Sequence, residues 1–422
     1  MPNARFNEFI HFDKRFKNKY GRVAQNYPHV FSLLEHELRL MESDGEDKKR
    51  IRKLAKKSPK IVKEILRMGY YRLGCAIPDI FHLVRNQKEP KYVLKIPKFA
   101  QLHDDISHIL ERPSKSGELS PREARFETYI GMINGSGIVG KTFEIINRSG
   151  WNELLRNEEL LESLNSEAGL VIQRVARRLI DDNVKLVISE GDYRAKHRVL
   201  VESCKIAGVV YIVICHGYIQ DPELKSIAPI NADGLIVWTE NQKLALINSG
   251  IPEEKIIYAG NPHAGILKPP VERGRILICW HPVGAIKPMN EEMHDINEIL
   301  TKIHGDKEIY FRPHPKDYGR KHLDETLKKM GINVSKSDFY DDLEAARAVI
   351  GSTSSTLFQA ASNGRVAIQV AGYSSFDIEG AAVMRASEIS LQDTIPEKRH
   401  SLAMGPPFDV NILVRHIEGL RS

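Results

Sequence analysis

"AVIGSTSSTLFQAASNGRVAIQV", Ala348 to Val370, is the stretch on which the fold turns. It opens on an apolar run, Ala348–Ile350, and closes on another, Val366–Val370. Between them lie five consecutive hydroxyl residues, Ser352 to Thr356, and a small-residue helical segment that Gly364 can stop. Two apolar runs joined by a turn and a helix make a βαβ unit, whose strands are parallel because the crossover returns the chain to the same end of the sheet. The hydroxyl run falls at the carboxyl end of the first strand. One Ser or Thr there would be an ordinary N-cap. Five offer more. The unpaired N–H groups of a helical first turn, a macrodipole worth about half a positive charge and a set of neutral hydroxyl donors together form a phosphate site that needs no lysine.

Outward from this unit the same rhythm repeats. Ile276–Trp280 and Ile309–Phe311 complete a C-terminal series. An N-terminal series runs through Val184–Ile188, Val209–Cys215, Leu235–Trp238 and Ile256–Ala259, with Tyr92–Ile96 and Thr128–Ile133 as further short runs. Strands alternating with helices predict mostly parallel sheets. Thr239 and Gln242 form a capping box before Lys243–Asn248, and Gly250 stands where that helix should end. Gly260 to Arg275, rich in Gly and Pro, reads as a hinge. The expected class is α/β, with a helical basic N-terminal region at 1–90, a Rossmann-like domain at 91–270, a second at 271–422, and a cleft between the two. Ile51–Tyr70 shows helical spacing of apolar residues, and Ser58-Pro59 supplies a fresh helix start within it.

The chain has 422 residues, 42% hydrophobic and 27% charged, enough for two cores. No apolar run approaches the roughly 20 residues of a membrane-spanning helix, and the first residues lack the apolar core of a signal peptide. Four scattered cysteines with no CxxC pair argue against a disulfide framework and a structural zinc site, so a reducing cytoplasm is the expected compartment. Residues 1–100 hold 23 Lys+Arg against 11 Asp+Glu, a surplus of 12, whereas the whole chain is only +6. A basic quarter on a net acidic remainder suits either a solvated helical face or contact with an anionic partner such as lipid headgroups.

In open parallel sheets ligands bind beyond the carboxyl ends of the strands. The residues that follow each expected strand there are Glu190 and Asp192, then His216, His281, Arg312 with His314, and Ser352 to Thr356. Arg312 offers a rigid donor fork and His314 a donor that can be cationic, and both suit a diphosphate. His216, with an ordinary imidazole pKa near 6.5, suits a general base, and Glu190 and Asp192 are rival bases; Asp192 also fits a helix cap. His216, His281 and His314 lie on separate loops without HxxxH or HxH spacing, so no metal site is expected. No G-x-G-x-x-G follows the first strand, and neither a P-loop nor G-x-S-x-G is present.

"VICHGYIQD", "WTENQKLALINSGIPEEKIIYAGNP", "FRPHP" and "GSTSSTLFQAASNGRVAI", in that order, resemble GT-B glycosyltransferases. The likeness is to the CDP-glycerol glycerophosphotransferase, capsule-polysaccharide and polysialyltransferase group, and it covers about Lys185 to Val370. The resemblance implies a nucleotide-activated donor in the C-terminal domain and a glycan or lipid-linked acceptor in the N-terminal domain. It implies donor-phosphate contacts from His314, Ser354, Ser355 and Thr356, and His216 as acceptor-side base. In the polysialyltransferase branch an acid plays that part, which points to Glu190 or Asp192. It implies no metal or other cofactor, and makes Glu379 the candidate ribose-binding acid. Where the glycerophosphotransferases carry a lysine after "HG", this chain has Ile219, Gln220 and Asp221.

The function expected is an inverting, metal-independent transferase of surface polysaccharide or glycoconjugate synthesis. It would be cytoplasmic, with its basic N-terminal region on the inner membrane face, and nucleic acid is not the expected partner. Set against it are a UDP-N-acetylglucosamine 2-epimerase-like enzyme on the same fold and a non-catalytic polyanion-binding protein.

Overall fold

The computed structural model describes residues 3–42, 91–94, 122–123, 126–189, 191–214, 230–261, 274–281, 283, 287–303, 308–314, 317, 321–352, 355–373, 377–389 and 408–420. The chain divides into two compact units. The first comprises Met1–Ile236, Lys243–Ile257 and Val410–Ser422, and the second Val237–Gln242 and Tyr258–Asp409. The terminal helix Val410–Gly419 therefore groups with the first unit, although the expected boundaries set it in the second.

The first unit is built on strands β1 (Lys91–Leu94), β2 (Arg122–Glu123), β3 (Val184–Ser189), β4 (Val210–Ile214), β5 (Gly234–Val237) and β6 (Ile256–Tyr258), in the order β2-β1-β3-β4-β5-β6. The ladders from β2 to β5 are parallel. This is the flavodoxin-like order, which reverses between β1 and β3. β4 and β5 are buried at every residue, as expected for strands covered on both faces. Helix Glu158–Asp181 buries Leu161, Leu164, Ala168, Val171, Ile172, Val175 and Leu179, one face at helical spacing. Each large aliphatic side chain so buried contributes roughly 1.5–3 kcal/mol by leaving water.

Helices Asn3–Asn26 and Pro28–Glu42 join this unit through polar contacts as well as apolar ones. Asn165 Oδ1 accepts the backbone N–H groups of His29 and Val30, capping the second helix from outside its own chain segment. Glu35 takes Arg39 Nε at 3.0 Å and Arg198 Nη2 at 3.1 Å, and Arg39 Nη1 reaches Asp13 at 2.9 Å. Both arginine side chains are only 2% exposed, so removing Glu35 would leave two buried cations short of a partner. The Ile51–Tyr70 helix expected from the sequence lies outside the described residues. Among the described residues no helix is long and apolar enough to cross a membrane.

Thr128–Ile133, read from sequence as a strand, is helical, within Phe126–Gly135. Tyr129 and Ile133, four residues apart, are both buried, which is helical spacing inside a run too short for its period to be read.

The second unit carries β7 (Arg275–Cys279), β8 (Ile309–Arg312), β9 (Asn333–Val334), β10 (Ala346–Gly351), β11 (Val366–Val370) and β12 (Ala382–Met384). Their order is β12-β11-β10-β7-β8-β9, and every ladder is parallel. Numbered from β7, that is the Rossmann order 3-2-1-4-5-6, with its switch point between β7 and β10. Its core gathers Ile276, Ile278, Phe311, Ile350, Ile368 and Val370 from the sheet and Ile296, Ile299, Leu323 and Leu327 from helices Met289–Lys302 and Lys321–Lys329. Two doubly wound Rossmann-like units are the fold class that the GT-B resemblance implies.

Candidate functional site at the carboxyl edge of the second sheet

Arg312, Cys279, Gly351 and Gln369 stand in one register row at the carboxyl ends of β8, β7, β10 and β11. The βαβ unit β10–Ser355–Ser362–β11 therefore has its turn at the switch point, where ligands of open α/β sheets bind. Gly351 is required there. A Cβ on it would lie 2.5 Å from the Cys279 carbonyl oxygen, a backbone clash. The helix ends as its sequence asks: Gly364 has φ +73°, and the Arg365 N–H reaches back to the Ala360 carbonyl.

Ser352, 0% exposed, turns into the sheet edge rather than out of it. Its Oγ is 2.5 Å from His281 Nδ1 and accepts the His281 backbone N–H at 3.2 Å. His281 Nε2 in turn lies 2.9 Å from Glu292 Oε1, on the first turn of helix Met289–Lys302. Glu292 is fully buried and also accepts the Lys287 N–H at 2.8 Å. Two of the strand-end residues that the sequence puts at the ligand edge are thus bonded to each other, and the third member, Glu292, carries no sequence signal. It reads as one of the first-turn acids that many helices carry.

Ser355 and Thr356 open the helix and are half-buried. Thr356 hydrogen-bonds the Cys279 thiol, whose pKa burial pushes up to about 12, against the lowering effects of the Arg312 charge and of that bond. Thr353 and Ser354 lie outside the described residues.

Arg312 is not free to meet a ligand with its whole fork. Nη1 donates to Asp342 at 2.6 Å and to the Ser337 carbonyl at 2.8 Å, and the guanidinium lies 5.5 Å from the Phe339 ring centroid. Asp342 is buried and also takes the Ser335 hydroxyl at 2.5 Å. His314 is half-buried just past β8, and its carbonyl closes a turn by accepting the Asp317 N–H. Glu379 accepts from Asn241 Nδ2 at 3.0 Å. Lys287 was missed in the sequence reading. Its ammonium donates to Asp295 at 2.9 Å and sits 4.0 Å from the Tyr373 ring centroid, while the Tyr373 hydroxyl also bonds Asp295.

In the first unit, Asp192 follows β3 at the other switch point. Its carboxylate is buried and accepts the N–H groups of Asn231 and Ala232 at 2.6 and 2.9 Å. Burial raises its pKa, opposed by the Arg198 charge and by those N–H groups. It holds backbone, and it does so without capping a helix, since Arg194 occupies the N-cap position of Ala195–Ala207. His216 and Glu190 lie outside the described residues. A G-x-G-x-x-G run, Gly135 to Gly140, joins helices Phe126–Gly135 and Ile138–Ser149, so it lacks the strand-to-helix setting of a dinucleotide fingerprint.

No protein-family model matches the chain, and no curated protein matches it. Among solved structures the chain is similar to a putative UDP-N-acetylglucosamine 2-epimerase from Listeria monocytogenes, at 13% identity over 79% of this chain and 97% of that one, with a TM-score of 0.49. It is similar to S. aureus MnaA in a structure with UDP, at 14% identity over 79% and 96% with a TM-score of 0.47. It is also similar to Anabaena Alr3699/HepE in complex with UDP and glucose, at 12% identity over 80% and 100% with a TM-score of 0.45. At such identities and TM-scores the likenesses bear on neither activity nor ligand, and the fold class stands on the two sheets of this chain.

Proposed function

We propose that the chain is a GT-B-type transferase that uses a nucleotide-activated donor, a nucleotide sugar or a CDP-alcohol. The observation that supports this most is the strand order of the second unit, which puts a hydroxyl-rich strand-to-helix turn at the Rossmann switch point. Ser355 and Thr356, with the first-turn N–H groups behind them, face the donor phosphates in this reading, together with Thr353 and Ser354 of the same run. His314 and the remaining guanidinium nitrogens of Arg312 supply charge. The acceptor hydroxyl loses its proton to His216, or to Glu190, and its oxygen attacks the donor carbon or phosphorus with inversion. The bond to the leaving phosphate breaks, and helix dipole and donors stabilise the departing charge in place of a metal ion. Asp192 is better suited to holding its loop than to taking a proton. The basic residues of the N-terminal quarter are assigned to an anionic inner-membrane face beside a glycan or lipid-linked acceptor.

The test is calorimetric titration with CMP, CDP, UDP and GDP. One of them should bind, and a ligand at 100 times its Kd should add about 2.7 kcal/mol to unfolding stability. Ser355→Ala/Thr356→Ala should weaken that nucleotide by about tenfold, the loss of roughly one charge-assisted hydrogen bond. Unchanged affinity would remove the phosphate turn from the mechanism. Turnover of a UDP-sugar with no acceptor present would favour the epimerase reading instead.

A further inference from the structure

The contacts of Glu292, His281 and Ser352 have a direction. An ionised carboxylate only accepts, so Glu292 Oε1 takes the His281 Nε2–H and the Lys287 backbone N–H. With a neutral ring this leaves Nδ1 bare, and it takes the Ser352 hydroxyl proton. The lone pair of Ser352 then takes the His281 backbone N–H. The four contacts thus agree in direction, and none of the three residues is more than 6% exposed. In that tautomer the single proton of Ser352 is committed inward, and none is left to give a phosphate.

The place of this chain matters as much as its chemistry. At a switch point the segments leaving neighbouring strands diverge to opposite faces of the sheet, and nothing in the ladder holds their first residues together. Here β7 leads through His281 toward helix Met289–Lys302, and β10 leads through Ser352 into helix Ser355–Ser362. The ladder ends at the pair Cys279–Gly351. The Ser352–His281 contacts tie the two segments one residue beyond Gly351 and two beyond Cys279, and Glu292 anchors that tie to a helix.

We propose that Glu292, His281 and Ser352 are positioning residues. Their one-way hydrogen-bond chain sets the conformation in which β10 enters its helix, and so fixes where Ser355 and Thr356 present donors to the nucleotide phosphate. This rests on the donor-site reading above. None of the three touches the ligand, and each acts through the turn.

The experiment uses the full chain and four variants: Ser352→Ala, His281→Ala, the double variant, and His281→Asn, whose Oδ1 can stand where Nδ1 accepts the serine proton. Two quantities are read, nucleotide diphosphate affinity by calorimetry and amide hydrogen exchange in peptides covering 346–362. Each alanine variant should weaken binding about tenfold, and the double variant no more than either alone, because one shared contact is lost. His281→Asn should recover affinity to within about threefold of wild type, a rescue that generic destabilisation does not produce. Exchange should rise in 346–362 in the alanine variants and stay low in His281→Asn. Additive losses, unchanged affinity in folded Ser352→Ala, or unchanged exchange would each overturn the proposal. If His281→Ala fails to fold, Ser352→Ala and His281→Asn carry the comparison. If wild type binds none of the nucleotides, the donor-site reading fails, and the exchange data alone decide whether the chain holds the turn.

Discussion

The two sheets present their switch points with opposite economies. At β3 of the first unit one buried carboxylate, Asp192, gathers two backbone N–H groups from a segment some 40 residues on. At β7 and β10 of the second unit a carboxylate, an imidazole and a hydroxyl are strung in series. In both, a buried polar residue within three positions of the strand end faces inward and serves backbone. A chain leaving a sheet edge must find partners for N–H groups that the ladder no longer satisfies, and the nearest polar side chain is the cheapest source. The groups proposed above to face a ligand, Ser355 and Thr356, fall three and four positions after Ser352.

The comparison predicts that a series is more costly to cut than a single anchor. Glu292→Ala strands the buried His281 Nε2–H and the half-buried Lys287 N–H, and should cost about 3–5 kcal/mol in urea unfolding. Glu292→Gln keeps an acceptor oxygen for both and should cost much less. Equal losses would mean that charge, not hydrogen-bond geometry, holds this edge.

A smaller effect is expected at Asp192, where the sign of the pH dependence is the informative quantity. Burial holds its pKa above the ordinary 3.8, so the native protein keeps this proton more tightly than the unfolded chain does. The stability tied to it is complete below the ordinary value and is lost as pH rises through the folded one. Asp192→Asn carries no such proton. Measured from about pH 4 to about pH 7, the stability of wild type relative to the variant should therefore fall as pH rises. A difference that stays flat, or rises, would show that the two N–H bonds and Arg198 outweigh burial, and that Asp192 holds its loop as an ionised carboxylate.

How far the sequence carried this picture depends on which contacts are local. β3, β4, β7, β8, β10 and β11 were legible because each holds an apolar run of three or more residues bounded by turn chemistry. The Thr239–Gln242 capping box was legible because both partners lie within one helical turn, and the structure shows Gln242 Oε1 accepting from Trp238 and Thr239 while Thr239 caps Gln242. Strands β2, β9 and β12, of two or three residues, carry no periodicity to read. Strand order across the sheet is set by pairing between distant segments, which a pattern along the chain does not encode. The site was legible as a list of strand-end residues and illegible as an arrangement. Ser352 and His281 are 71 positions apart, and Glu292, which bonds His281, is in sequence one more acid in a helix start.

The smallest effect belongs to Lys287, and it sharpens the contrast between buried and open pairs. Its ammonium meets Asp295 at 2.9 Å with both side chains between a fifth and a third exposed, so water screens the pair. The Tyr373 ring beneath it adds a cation–π contact at 4.0 Å. Lys287→Met keeps the stem over the ring and deletes the charge, and should cost no more than about 1 kcal/mol, shrinking further as salt is added. Tyr373 would still hold Asp295 through its hydroxyl, so no buried carboxylate is orphaned. Arg312→Met removes a cation of the same charge from the same sheet edge but leaves Asp342, 1% exposed, with the Ser335 hydroxyl as its one side-chain donor among the described residues. That substitution should cost about 3 kcal/mol with little response to salt. Similar costs for the two would mean that accessibility does not grade the charged pairs of this edge.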